Sequence, residues 1–232
     1  MQFNNIQSDL QTKGYTQFNL KEYDMDLYNL LLPFKCNSTD NLQSHMKGLR
    51  VDGELKRELN SGIPFQLKND YDSYDIAKTE KLKSFEKLKN VEQAWYKQLC
   101  NVVCNAKNVN HTIINDAIFR LVRKCFQIDE SVELSTIVNE FTFYDEGCEI
   151  KNHKDGMYPE RVCSILIYLN ETYDENDGGI LILGDTESVL PVFGNVAIVS
   201  LSDSDVEHKV SKVVGGIGRY ALCTFVKRVF KI

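Results

Sequence analysis

Apolar residues follow two different rhythms along this chain, and the change falls near Gln127. Upstream they recur in steps of three and four, which places them on one face of a helix. From Thr79 to about Cys104 the stripe is Leu82, Phe85, Leu88, Val91, Trp95, Leu99, Val102 and Val103, with lysines and glutamates on the other face. A second stripe, Ile114, Ala117, Ile118, Leu121, Val122 and Cys125, predicts a helix from about Thr112 to Phe126. Both helices are expected to lie against a sheet. Nearer the N-terminus, Gly14-Tyr15-Thr16-Gln17-Phe18 predicts a short strand, and Leu27 to Leu32 a short helix stopped by Pro33. Residues 36–75 are rich in Asn, Asp, Ser and Gly and read as loops with one short helix near Leu42 to Leu49. Such a stretch is a candidate for substrate contact or for a lid.

Downstream the rhythm becomes two. Leu134 to Tyr144, Arg161 to Asn170, Gly179 to Leu183, Val196 to Leu201, Val206 to Val210 and Arg219 to Val226 read as strands. Asp177-Gly178-Gly179 and Gly215-Gly216 supply turns between them. Short strands at this spacing predict a sandwich or barrel. The expected class is α+β with a mainly β core. Residues 1–130 form a helical N-terminal support packed on the core, residues 131–232 form the core, and the two make one structural domain.

Composition changes this picture little. With 232 residues the chain can bury a sizeable core, and 43% apolar with 26% charged residues is the balance of an ordinary globular protein. No run of about 18 apolar residues is present, so no membrane span is expected. Met1-Gln2-Phe3-Asn4-Asn5 lacks the basic segment and apolar run of a secretion signal. The seven cysteines (36, 100, 104, 125, 148, 163, 223) are odd in number and mostly embedded in apolar patterns, which suits a reducing compartment. The expected location is cytoplasmic. Cys100 and Cys104 lack the second pair a zinc site needs. A net charge of −6 and a pI near 5.3 argue against a nucleic-acid partner. The lysines between Lys78 and Lys97 are interleaved with glutamates, as on a solvated helix face.

Candidate chemistry comes from four polar positions in the strand-rich half. His153-Lys154-Asp155 puts an imidazole and a carboxylate two residues apart, on one face if a strand runs through them. His208, in Val206-Glu207-His208-Lys209-Val210, shares its face with two valines and should point inward. Two histidines and one carboxylate are the ligand set of a non-haem iron(II) centre with open positions for a co-substrate and dioxygen. Arg219 opens the last strand, whose two faces are both apolar, so its guanidinium is expected indoors, where it requires an anion. Tyr168 and Tyr144 would place hydroxyls near the same site. Of the remaining histidines, His45 falls in the loop-rich region and His111 at a helix start. Any of these features alone is common. Their order along the strands is what carries the reading.

At these residues the chain resembles the iron(II)/2-oxoglutarate-dependent oxygenases, most closely the prolyl 4-hydroxylase branch. The likeness runs from about Val138 to Lys227. It includes Tyr144-Asp-Glu-Gly147, His153-Lys-Asp155, Arg161-Val-Cys-Ser-Ile-Leu-Ile-Tyr168-Leu-Asn170, Gly178-Gly179-Ile-Leu, Pro191 with Gly194, His208, and Gly218-Arg219-Tyr220-Ala221. The resemblance implies a double-stranded β-helix, or jelly roll, with N-terminal supporting helices. It assigns His153, Asp155 and His208 to iron, Arg219 to the distal carboxylate of 2-oxoglutarate, and Tyr168 and Tyr144 to hydrogen bonds with that co-substrate. Fe(II), 2-oxoglutarate and O2 are the implied reagents, with ascorbate as an optional reductant. Many procollagen-type members carry lysine where Arg219 stands, so the chain resembles the arginine-bearing subgroup. Asp155 rather than glycine makes hydroxylation the expected chemistry. The expected substrate is a prolyl residue of a protein or peptide, and Arg161 could contact an acidic segment of it. A hydroxylase of a free amino acid or other small molecule and a catalytically inactive jelly-roll binding module stay open as alternatives, with a nucleic-acid demethylase behind them. The oligomeric state is left open.

Overall fold

The computed structural model describes residues 3–35, 111–144, 149–156, 159–201, 206–215 and 218–230. The helix expected over Thr79–Cys104, the loops of 36–75, the Lys78–Lys97 cluster, the Cys100–Cys104 pair and His45 lie outside the described residues. Among the described residues no helix is long and apolar enough to cross a membrane.

Helix α1 (Asn4–Thr12) leads into strand β1 (Tyr15–Asn19), then α2 (Leu20–Tyr23) and α3 (Met25–Leu31). The Asn19 side chain caps α2 by accepting from the Lys21 N–H, and the buried Asp24 caps α3 by accepting from the Leu27 N–H. A 3₁₀ turn over Leu32–Phe34, containing Pro33, closes α3 where the sequence placed its stop. Helix α4 (His111–Phe126) fills the predicted span. All six residues of its apolar stripe, from Ile114 to Cys125, are buried. It ends at Gln127, which takes a positive φ of 52°.

Among the described residues, nine strands make two antiparallel sheets. The first has the order β1-β7-β4-β9-β2 and the second β3-β8-β5-β6. Their remaining members are β2 (Leu134–Tyr144), β3 (Ile150–His153), β4 (Arg161–Tyr168), β5 (Leu181–Leu183), β6 (Glu187–Val189), β7 (Asn195–Ser200), β8 (His208–Val210) and β9 (Arg219–Arg228). Strand β1 pairs with β7 along its whole length, so the first 130 residues give the larger sheet an edge strand as well as supporting helices.

Side-chain alternation divides the interior into two layers. Ile165, Ile167, Val196, Ile198, Tyr220 and Leu222 face the helices and join Ile6, Leu27, Ile118 and Leu121 in one core. Their neighbours Tyr168, Ala197, Val199 and Ala221 point the opposite way and meet Leu181, Leu183, Val189 and Val210 of the smaller sheet. The candidate polar residues all belong to this second, inter-sheet layer or its rim. Gly178 and Gly179 make the turn into β5 with φ of +72° and +67°. A Cβ on Gly178 would collide with the Lys212 carbonyl oxygen, so only glycine permits that approach.

Candidate active site

His153 and His208 face each other across paired strands: β3 and β8 run antiparallel with these two residues in register. Their ring centroids are 4.3 Å apart. Asp155 completes the group, with Oδ1 3.6 Å from His153 Nε2 and Oδ2 3.6 Å from His208 Nε2. One ligand atom from each of the three lies within 4.8 Å of the others. The expected common face is reached differently from the way alternation suggested. Strand β3 stops at His153, and Asp155 lies beyond its end, ahead of Gly156 at φ +80°. Arg161 Nη1 donates to the Asp155 carbonyl oxygen at 2.8 Å and holds that turn.

Backbone carbonyls fix both imidazoles. His153 Nδ1 is 2.9 Å from the Lys151 carbonyl oxygen and His208 Nδ1 is 3.0 Å from that of Val206. A carbonyl only accepts, so Nδ1 carries the proton on each neutral ring and Nε2 turns its lone pair toward Asp155. Metal-binding histidines are commonly oriented in this way. The donor set is therefore suited to a divalent first-row metal with open positions.

Charge reinforces the grouping. Burial disfavours ionisation of His153, but the Asp155 carboxylate and the Lys151 carbonyl outweigh it and leave the imidazole pKa above its ordinary value. Burial also opposes the Asp155 carboxylate, yet the two imidazoles and the nearby Ser164 hydroxyl hold its pKa below the usual range. Without metal, the imidazolium–carboxylate contact thus stabilises the fold between the ordinary values of about 3.9 for Asp and 6.5 for His. That stability is lost as pH falls through the depressed Asp155 pKa, and again as pH rises through the raised His153 pKa. Metal binding runs the other way at its acidic limit, because a ligating imidazole must first lose its proton. Affinity for a divalent metal, titrated downward from about pH 8, should therefore begin to fall above about pH 6.5. An affinity flat to about pH 5 would contradict the assignment of these imidazoles as ligands.

On the facing sheet, Arg219 is completely buried. Its Nη2 donates to the Tyr168 hydroxyl at 3.1 Å, and its Cζ lies 4.8 Å from the Tyr144 ring centroid and 5.0 Å from that of Tyr168. Strand register explains the arrangement, since Tyr144 pairs with Arg219 on β2–β9 and Tyr168 with Ala221 on β4–β9. The two rings shield the cation, but Nε and Nη1 have no hydrogen-bond partner among the described residues. A fully buried guanidinium with two unsatisfied donor nitrogens is a receptor for an anion. This is the observation on which an acidic co-substrate fits. Burial opposes the charge, and the two tyrosines more than restore it, so the Arg219 pKa stands above its ordinary value.

Asn170 holds that arginine in place. Its Nδ2 donates to the Gly218 carbonyl at 2.7 Å and its Oδ1 accepts from the Tyr220 N–H at 2.8 Å, bracketing Arg219 on both sides. Asn170→Ala would strand a buried carbonyl and a buried N–H, at about 1–3 kcal/mol each. Urea unfolding should show a loss of roughly 2–6 kcal/mol, with weakened binding of a dicarboxylate alongside it.

The structure brings together His153, Asp155 and His208 as one cluster and Arg219, Tyr168 and Tyr144 as another. Arg161, the candidate substrate contact, donates from Nη1 to the Asp155 carbonyl, and its guanidinium lies 5.7 Å from the Phe225 ring centroid. Tyr173 was not anticipated. Its hydroxyl is buried without a hydrogen-bond partner and stands against Gly179, near Arg219. A single tyrosine in a polar turn carries no periodic signal that would mark it.

Comparison with known proteins places these features in a wider frame. Residues 140–227 match the sequence model of the 2OG-Fe(II) oxygenase superfamily. No curated protein matches the chain in sequence. Among solved structures, a prolyl hydroxylase from Trichoplax adhaerens in complex with a hypoxia inducible factor oxygen degradation domain peptide fragment aligns with a TM-score of 0.56 at 16% identity. That alignment covers 97% of this chain and 87% of that one. A prolyl-4-hydroxylase from Pseudomonas putida aligns at 0.48 and 17% identity, covering 97% and 98%. A 2OG-Fe(II) oxygenase family protein from Burkholderia pseudomallei gives 0.49 and 14%, covering 97% and 89%. At such identities the likeness is one of fold.

Proposed function

We propose that this chain, whose residues 140–227 match the 2OG-Fe(II) oxygenase superfamily model, is a dioxygenase that hydroxylates a C–H bond of a prolyl residue in a protein or peptide. The observation that carries the reading is the pairing of two clusters in one inter-sheet space: three metal-ligand side chains and a buried arginine that lacks an anion. A metal triad alone would fit many reactions. The added anion receptor narrows the co-substrate to an acid such as 2-oxoglutarate.

His153, Asp155 and His208 would hold Fe(II) through Nε2, a carboxylate oxygen and Nε2. Arg219 would pair with the distal carboxylate, and Tyr168, having accepted from Arg219, keeps its own O–H to donate to the same group. Tyr144 supplies a ring face to the cation. With Fe(II) bound, the chemistry supplied is the transfer of one atom of O2 to the substrate C–H bond, while the other converts 2-oxoglutarate to succinate with loss of carbon dioxide. The chain contributes a buried, preorganised frame, since both imidazoles are pinned by carbonyls and the arginine is packed between rings. A prolyl substrate is favoured by the likeness in fold to the Trichoplax enzyme, whose structure holds a peptide fragment.

The test supplies Fe(II), 2-oxoglutarate and O2 together with a library of proline-containing peptides, with free proline and free lysine assayed in parallel. Succinate release stimulated by a peptide, with the mass of one oxygen atom gained on a prolyl residue, is the expected result. Turnover of a free amino acid and no peptide would replace the prolyl-residue reading with a small-molecule one. No 2-oxoglutarate decarboxylation under any condition would leave a binding module.

A further inference from the structure

We propose that Tyr173 is a further ligand of the co-substrate's distal carboxylate, donating from its hydroxyl to the anion that Arg219 pairs; this rests on the dioxygenase reading above. Among the described residues, the atoms around Arg219 without hydrogen-bond partners are Arg219 Nε, Arg219 Nη1 and the Tyr173 hydroxyl. The Tyr168 hydroxyl has accepted an Arg219 N–H and so has a proton left to give. Each of these has hydrogen to donate. A carboxylate offers about four lone-pair sites and no hydrogen, so one such group meets the shortage of all of them. A cation or an amide nitrogen would meet none.

Position supports the same conclusion. The Tyr173 hydroxyl and Arg219 Cδ flank one point of bare backbone: a Cβ built on Gly179 would lie 2.6 Å from the hydroxyl and 3.3 Å from Cδ. The absence of a side chain there leaves tyrosine and arginine open to the same space. Burial raises the Tyr173 pKa to about 12 even though the Arg219 charge opposes it, so the hydroxyl is a neutral donor throughout the physiological range. The loop that presents it is fixed. Asp174 and Asp177 form a capping box around the turn Glu175–Asp177, the Val214 N–H donates to the Asp177 carbonyl, and the Gly179 N–H donates to that of Ser211. A donor held in this way loses little freedom when the anion arrives. The co-substrate end of the site is thus built from three elements: β4 through Tyr168, the turn before β5 through Tyr173, and β9 through Arg219.

The experiment uses the full chain with Mn(II) in place of iron, and calorimetry with two probes. N-oxalylglycine carries both the metal-binding end and the distal carboxylate, whereas oxalate carries the metal-binding end alone. Tyr173→Phe removes one atom from a partly buried residue, and retained oxalate binding verifies that the site is intact. The expected result is a loss of about ten- to a hundredfold in affinity for N-oxalylglycine, the scale of one hydrogen bond to a charged group, with oxalate affinity unchanged. Parental affinity for both probes would overturn the role, and so would an equal loss for both, which is the mark of a packing residue. Failure of the unsubstituted chain to bind N-oxalylglycine would instead sink the dioxygenase reading and this inference with it.

Discussion

Asp155→Ala should abolish turnover while leaving a folded chain, and His153→Ala or His208→Ala should do nearly as much. The three residues supply every protein ligand of the cluster, each from a different backbone position. Loss of an outer partner that merely orients a ligand costs about ten- to a hundredfold in metal affinity or activity, so loss of a ligand itself should exceed that range. Asp155 is expected to be the worst. Its two oxygens each face a different histidine, so its removal takes away a ligand and also the negative charge that keeps two imidazoles together. The His153 pKa, held up by that carboxylate, should fall in the variant, which isolates the electrostatic part of the effect. Metal affinity by calorimetry and succinate release provide the two readouts. Parental metal binding and oxygen consumption in all three variants would refute the assignment.

How much of this site could be read before the fold was known depended on the length of each element. Strands β2 and β9 begin and end within two residues of the predicted limits, because their alternating pattern covers eight or more positions. Helix α4 was legible for the same reason. Helix α1 was not: Asn4–Thr12 is mainly polar and buries only Ile6 and Leu10, a two-residue stripe with no periodicity to detect. Strand β6 is three residues long and buries one of them, Val189. Alternation would have put His153 and Asp155 on one face only if a strand ran through both; β3 ends at His153, and Asp155 sits in a turn with a positive-φ glycine and an arginine from β4. The arginine's burial was foreseen because both faces of its strand are apolar. Its companions are a different matter. Tyr168 and Tyr144 lie on predicted strands and could be placed, whereas Tyr173 stands outside any strand, and Asn170, expected as the last residue of its strand, lies two residues past the end of β4, where tertiary contacts alone decide position. Local pattern reports which face a residue takes, and only the packed sheets report what it meets.

Arg219→Met should separate function from stability in opposite directions. Burying a guanidinium costs several kcal/mol even after relaxation, and in the ligand-free chain Arg219 recovers only one hydrogen bond and the faces of two rings. Replacing a buried ionic group by an apolar one of similar volume is often neutral or stabilising by about 1–4 kcal/mol. The Tyr168 hydroxyl would lose its donor, which trims that gain by about 1 kcal/mol. Ligand-free R219M should therefore melt no lower than the parent and up to several degrees higher, at about 2–4 °C per kcal/mol for a chain of this size. Co-substrate binding should collapse. Removing one member of a buried charge pair costs about 2–5 kcal/mol, or roughly thirty- to several-thousandfold in affinity, and the rise in melting temperature on adding 2-oxoglutarate with Mn(II) should vanish. Arg219→Lys should fall between the two, because an ammonium keeps the charge and loses the planar fork. A methionine variant that melts well below the parent and is still stabilised by 2-oxoglutarate would show that the arginine is a structural cation, with the acid held elsewhere.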